Sequence, residues 1–280
     1  MDKVLSEAGA PGRTAAGSIN ALRDGESFLI TGGSGMTGTA LRKALRRRFP
    51  GCGITILSGG SLPLEPEPGE AVIRLTDAGT FSGTLEADAV FALAGEPIGE
   101  RRITRDGLRE NAAGRVSLME KAADLLKAPA PFFAASAVVS EKSVLLREFR
   151  DSLEDEAGKA LRAKGLSPAF VRFPVILGSR GMLSVLRKFA SLRLMPYFVP
   201  EEKIPVAAAE EAAAFLASLP ETESGEHAEM PHQLKTLREI ERESAGGRLM
   251  LPVPSPLAAL RLADPGTAEL FGKYAEKPGI

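Results

Sequence analysis

The chain has 280 residues, 44% of them hydrophobic, which suits one large α/β domain or one domain with a small appendage and argues against two independent domains. Lys and Arg total 35 against 36 Asp and Glu, a net charge of -1, so neither a nucleic acid nor an anionic membrane is expected as partner. The single cysteine, Cys52, excludes an internal disulfide, and the two histidines show no metal-site spacing; a reducing cytoplasm is the expected setting.

Residues 1–26 read as a polar lead-in whose Asp2 and Glu7 interrupt any hydrophobic signal core. No apolar run approaches the roughly 20 residues of a membrane-spanning helix. Phe28-Leu29-Ile30 is a first strand, and it breaks into the glycine-rich turn Gly32 to Gly38. A helix follows, with Leu41, Ala44, Leu45 and Phe49 on one face and basic residues on the other, ended by Pro50-Gly51. Ile54 to Leu57 is a second strand, and the Gly, Ser and Pro-rich stretch from Ser58 to Glu70 is a loop. Ala71 to Leu75 is a third strand. Asp88 to Gly95 is a fourth, almost wholly apolar, as befits a strand covered on both faces of a parallel sheet. Residues 107–127 space Leu108, Val116, Leu118, Met119, Ala122 and Leu125 helically, and Pro131 to Ser136 returns to strand. Arg147 to Lys164 is a charged surface helix, and Ala169 to Phe173 is a sixth strand.

Over residues 27–178 this alternation predicts an α/β fold: a doubly wound parallel sheet of Rossmann type that binds ligands beyond the carboxyl ends of its strands. Residues 179–280 read as a small, mostly helical C-terminal region, with helices at Met182 to Leu194, Glu210 to Leu219 and Leu234 to Ala245. This region is expected to cover the cofactor and shape the substrate pocket.

The turn satisfies both Gly32-x-x-Gly35-x-x-Gly38 and Gly33-x-Gly35-x-x-Gly38. The first glycine allows the tight turn off the strand, the middle one lets backbone approach a pyrophosphate, and the last packs helix on strand. Ser34, Gly35 and Met36 would then present amides at the helix start to the phosphates. A carboxylate at the end of the second strand would bind the ribose hydroxyls of NAD, but Ser58-Gly59-Gly60-Ser61 stands there, with no acid before Glu65. Without that negative charge a 2′-phosphate is tolerated, so NADP is expected, with NAD as the alternative. An arginine clamp would require Arg42 or Arg46 to reach across; otherwise Arg42, Arg46, Arg47 and Arg48 form a solvated helix face.

Several segments resemble the extended short-chain dehydrogenase/reductase family. Asn111-Ala-Ala-Gly114 with Leu118-Met-Glu120, and Arg172-Phe-Pro174, are similar to its helix and strand-end motifs. Leu93-Ala94-Gly95-Glu96-Pro97-Ile98, Arg101 to Thr104 and Ala135-Ser136-Ala137-Val138 resemble its atypical, epimerase-family subgroup, the nucleoside-diphosphate-sugar-epimerase-like proteins. The resemblance implies that Leu93, Ala94, Gly95 and Asn111 line the middle of the cofactor, and that Ala135, Ser136 and Pro174 flank the nicotinamide. It departs in one respect that bears on chemistry. The family's Tyr-x-x-x-Lys pair is absent, since the two tyrosines, Tyr197 and Tyr274, are not followed by lysine four residues on. Val139-Ser140-Glu141-Lys142 stands where the subgroup has aromatics. Ser136 is therefore the candidate catalytic residue, a hydroxyl able to orient a reacting carbonyl. The expected activity is that of an oxidoreductase or epimerase-like enzyme acting on a small hydroxyl or carbonyl compound. A homodimer is compatible with this reading. The rival reading is a dinucleotide-binding sensor or scaffold that has lost its chemistry.

Overall fold

The structure, a computed structural model, describes residues 25–60, 63–75, 84–98, 104–139, 143–179, 194–197, 203–222, 225–245 and 251–254. The lead-in up to residue 24, the Arg101 to Ile103 segment, Ser140 to Lys142, the Met182 to Arg193 helix and Tyr274 lie outside the described residues.

Seven parallel strands form the main sheet: β1 (Ser27–Thr31), β2 (Gly53–Ser58), β3 (Glu70–Arg74), β4 (Ala89–Ala92), β5 (Phe132–Ala137), β6 (Pro168–Phe173) and β10 (His227–Glu229). Their order is β3-β2-β1-β4-β5-β6-β10. Chain direction across the sheet reverses between β1 and β4, the switch point outside which ligands bind in doubly wound sheets. Helices cover both faces. On one face α1 (Met36–Arg48) and α4 (Ala209–Ser218) pack together, and Leu41, Leu45, Ala213 and Leu216 close a core with Phe28, Ile30, Ile56, Phe91 and Phe133. On the other, α2 (Arg105–Asp124) and α3 (Val144–Ala163) cover Leu29, Leu57, Val90, Phe132 and Phe170 with Leu108, Met119, Phe149 and Leu153. The central strands are apolar on both sides because both faces are covered, whereas β3, at the sheet edge, buries only Ile73 as a hydrophobic residue.

The predicted elements of the first 178 residues are all present within a few residues of their expected ends. The C-terminal part is less helical than its sequence suggested. Among its described residues are five strands: β8 (Leu194–Tyr197), β9 (Lys203–Ala208), β10, β11 (Gln233–Thr236) and β12 (Leu251–Pro254). Leu234 to Thr236, expected to open a helix, are strand; α5 starts only at Leu237 and runs to Ala245. These strands exist through their partners. β9 accepts β11 on one side and β7 (Val175–Leu177) on the other, β12 pairs β8, and β10 completes the main sheet beside β6. Pro174 explains the step from β6 to β7: it has no N–H to continue the ladder, so the chain leaves the main sheet there and rejoins in the smaller one.

Candidate dinucleotide site

Gly32 ends β1 with φ of +75°, a backbone conformation that glycine adopts without strain. A Cβ there would stand 2.8 Å from the Ala94 amide nitrogen and 2.9 Å from Ala94 Cα. The end of β1 thus lies flush against the chain leaving β4. Thr31 pins that contact, its hydroxyl accepting from the Ala94 amide at 3.0 Å and its carbonyl accepting from Leu93 at 3.2 Å. Gly38, in the first turn of α1, has no room either: a Cβ would overlap the Gly32 carbonyl oxygen and sit 2.8 Å from Gly33 Cα. Gly33 clears Ile56 of β2 in the same way, at 2.7 Å.

Gly35 differs. It is the N-cap of α1, its amide donates to the Gly32 carbonyl at 2.9 Å, and a Cβ would meet only that carbonyl oxygen, at 3.1 Å. No side chain caps the helix and no acid stands in its first turn. The first-turn amides and the positive end of the helix are left for an anion, which fits a pyrophosphate lying over Ser34, Gly35 and Met36. These three residues line a cavity of about 330 Å³ that extends to Lys43, Gly178 and Glu210. Met36 fills the place where Gly178 would carry a side chain, tying the start of α1 to the end of β7.

Ser58 closes β2, 93% buried, and its hydroxyl accepts from the Gly60 amide at 3.2 Å. The expectation that Arg42 or Arg46 reaches across to this corner is corrected by the structure. Arg42 is buried, with Nε 2.9 Å from Glu70 Oε1, one Nη on the other oxygen of that carboxylate, and the same Nη 3.0 Å from the Glu65 carbonyl. Arg46 faces the same Glu70 and Glu67. Burial alone would raise the Glu70 pKa, yet hydrogen bonds from Arg42 and the Glu67 amide, with the charge of Arg42, bring it below the usual carboxylate range. The pair carries the β2–β3 loop on α1.

At the end of β4, Asn111 on α2 donates to the Glu96 carbonyl at 2.8 Å and accepts from Arg115 Nε at 2.8 Å, while Arg115 Nη2 donates to the same carbonyl at 2.9 Å. Gly95 makes room for this guanidinium, which a Cβ would touch at 2.6 Å. Burial lowers the Arg115 pKa. Gly95, Asn111 and Arg115 border a second cavity of about 380 Å³. Sequence reasoning missed Arg115; its only signal was a lone cation one turn after Asn111.

Ser136 lies near the end of β5, buried, and its side chain turns to the α2–α3 face. Its hydroxyl donates to Glu154 Oε1 at 2.6 Å. Arg172, its register partner on β6, holds the same carboxylate through Nε at 2.9 Å and Nη2 at 2.6 Å, and His227 Nδ1 is 3.6 Å away. Burial raises the Glu154 pKa, but the Arg172 and Ser136 hydrogen bonds and the Arg172 charge bring it below the ordinary range. The one proton of Ser136 is thus committed to an ionised carboxylate. Leu93, Ala94, Ala135 and Pro174 all sit at or just beyond the carboxyl ends of β4, β5 and β6, as their strand positions predicted.

No protein-family model matches the chain, and no curated protein matches it in sequence. Solved structures do match in shape. The human epimerase family protein SDR39U1 (isoform 2), solved with NADPH, is 20% identical, with a TM-score of 0.62 over 84% of this chain and 85% of that one. An epimerase from Methanothermobacter thermautotrophicus is 14% identical, with a TM-score of 0.65 over 88% and 85%. The Bordetella bronchiseptica enzyme WbmF in complex with NAD+ is 16% identical, with a TM-score of 0.63 over 85% and 86%. The fold is the epimerase-type Rossmann fold. In that fold the corner built by Gly32, Gly35 and Gly38 stands at the switch point, with Ser58 on one side of it and Ala94 on the other.

Proposed function

We propose that this protein binds NADP(H), and NAD(H) more weakly, and uses it as an oxidoreductase or epimerase acting on a small hydroxyl or carbonyl compound in a reducing cytoplasm. The observation that carries the reading is the β1–α1 corner: packed without space for a Cβ at Gly32 and Gly38, yet open and uncapped at Gly35. Such a corner suits a diphosphate better than a water-filled turn. The absence of acid at Ser58 and the NADPH held by the human structure of similar fold support the phosphorylated dinucleotide.

The nicotinamide supplies or accepts the hydride. In this reading Gly32 to Gly38 hold the pyrophosphate, Ser58 borders the adenosine ribose, and Ala94, Gly95 and Asn111 flank the middle of the molecule. Ala135, Ser136 and Pro174 stand on the nicotinamide side. Ser136, with its proton on Glu154, offers lone pairs that orient a substrate hydroxyl, and it donates to a carbonyl only by releasing Glu154. That commitment favours, as second reading, a sensor or scaffold that holds the dinucleotide without chemistry. Mass spectrometry of the co-purifying nucleotide, with fluorescence titration of NADPH and NADH, tests the first claim; absence of binding overturns it. Single-turnover hydride exchange with a panel of carbonyls and sugar nucleotides separates the two readings, and turnover lost in Ser136→Ala sinks the second.

A further inference from the structure

The pairing of β2 with β3 brings together two residues 16 apart in sequence. Ser58 and Arg74 are register partners at the carboxyl ends of their strands, and the Leu75 amide donates to the Ser58 carbonyl at 2.9 Å. Neighbouring strands lie about 4.8 Å apart, and partners in a parallel ladder leave the sheet on the same face. Their alternating neighbours identify that face. Ile56, one pleat before Ser58, lies in the core under α1, and Glu70, two pleats before Arg74, is enclosed against Arg42 and Arg46 of α1. Ser58 and Arg74 therefore rise on the α1 side, toward the carboxyl edge where α1 begins.

The basic groups of this corner divide sharply. Arg42 and Arg46 are held by Glu70 and Glu67. Arg74 is exposed and makes neither an ion pair nor a side-chain hydrogen bond with any described residue. Ser58 accepts from Gly60 and so keeps its own proton to give. Gly59 and Gly60 add no side chains above the pair.

We propose that Arg74 and Ser58 form the 2′-phosphate subsite that makes the protein selective for NADP(H). The proposal rests on the reading of the glycine corner as a dinucleotide site. With the pyrophosphate on the first turn of α1, the adenosine ribose falls at the end of β2, and its 2′ oxygen faces Ser58. No carboxylate there takes the free hydroxyls of NAD(H). A guanidinium one strand away, at the end of a long flexible side chain, reaches a phosphate at that oxygen and binds it through paired N–H donors, while the Ser58 hydroxyl donates to a third oxygen. Arg74 is thus a specificity-determining residue supplied by β3, where the sequence between Ser58 and Glu65 offers no cation.

The test is fluorescence titration of the full-length protein with NADPH and NADH, for wild type, Arg74→Ala, Arg74→Lys and Gly38→Ala. Competition by 2′,5′-ADP and by 5′-AMP runs alongside. Wild type is expected to favour NADPH and 2′,5′-ADP. Arg74→Ala should weaken both at least about tenfold, the loss typical of a charge-assisted pair, and leave NADH and 5′-AMP within about threefold. Arg74→Lys should recover part of the preference. Because Arg74 is exposed, its variants should melt with wild type. The inference is overturned if Arg74→Ala keeps the NADPH preference, or if wild type has none. Loss of all binding in Gly38→Ala together with an unchanged Arg74→Ala leaves the dinucleotide reading standing and removes this one; a wild type that binds neither nucleotide removes both.

Discussion

Replacing Gly38 by alanine puts one methyl group into the tightest place in the molecule. The added carbon would overlap the Gly32 carbonyl oxygen and lie 2.8 Å from Gly33 Cα and 2.9 Å from the Gly32 carbonyl carbon. Carbon atoms settle at about 3.5 Å or more, so the contacts are short by roughly 0.7 Å, and every atom involved is backbone of the turn. No rotamer change relieves it. Overpacking of this kind costs about 1–3 kcal/mol, and the upper end applies because α1 and β1 are both locked, the first by α4 and the second between β2 and β4. Alanine returns about 1 kcal/mol of helix propensity, leaving a net loss of about 2 kcal/mol. For a chain of this size that lowers the melting temperature by about 4–8 °C. The turn must also move off the helix, which displaces the amides facing the pyrophosphate and should weaken NADPH at least about tenfold. Gly114→Ala is the control. That glycine lies within α2 with nothing within 4 Å of a Cβ, so alanine should raise stability by about 0.5–1 kcal/mol. Thermal melts and nucleotide titrations of both variants decide the matter. A Gly38→Ala protein that melts with wild type and binds NADPH normally would refute the steric reasoning.

Glu70→Gln should cost about 3 kcal/mol in denaturant unfolding, because it leaves Arg42 with no countercharge in an enclosed site. Glu70 and Glu154 both have pKa values lowered in the folded state. Their stabilisation is therefore complete above the unfolded carboxylate value of about 4.3 and is lost as pH falls through the lower folded values; melting temperature should drop steeply below about pH 4, and less steeply in Glu70→Gln. Ser136→Ala should lower stability by about 1 kcal/mol while NADPH affinity stays within about threefold, whereas Glu154→Gln, which uncovers Arg172, should cost about 3 kcal/mol. Equal effects of the two in denaturant unfolding would contradict the network. Cys52 is 4% exposed and burial raises its thiol pKa, so a chromogenic thiol reagent should find no reactive thiol in the native protein and one after denaturation.

The first six strands and three helices were legible because their apolar spacing is set by the sheet they build. What followed was not, and the reason is visible in β9 and β10. Lys203-Ile-Pro-Val-Ala-Ala contains a proline and runs directly into an alanine-rich helix, so its composition argues against a strand; pairing with β7 and β11 overrides it. His227-Ala-Glu229 exposes two of its three residues and is strand only because the edge of β6 is there to receive it. The site divides the same way. Gly32 and Gly38 could be recognised from sequence because a steric demand is recorded as a missing side chain at fixed spacing. Ser136 could be placed at its strand end, but its engagement with Glu154 depends on how α3 lies over β5, which no local pattern encodes.

Charge is the case in which sequence and structure diverge most usefully. In the sequence, Arg42, Arg46, Arg74, Arg115 and Arg172 are equivalent members of a nearly neutral composition. Folding sorts them. Arg42, Arg46 and Arg172 are each set against a carboxylate with little exposure, so their charge is cancelled locally and serves to fasten α1 to β3 and α3 to β6. Arg115 is held by neutral oxygens of Asn111 and Glu96, and keeps its field at the mouth of β4. Arg74 is held by nothing described and keeps its field at the mouth of β2. A cation that the fold has not neutralised, standing where a doubly wound sheet receives its ligand, acts on the ligand rather than on the fold. By that reasoning the arginines that matter for nucleotide selectivity lie outside the basic run of α1: that run binds the protein to itself, and the single arginine of β3 faces outward.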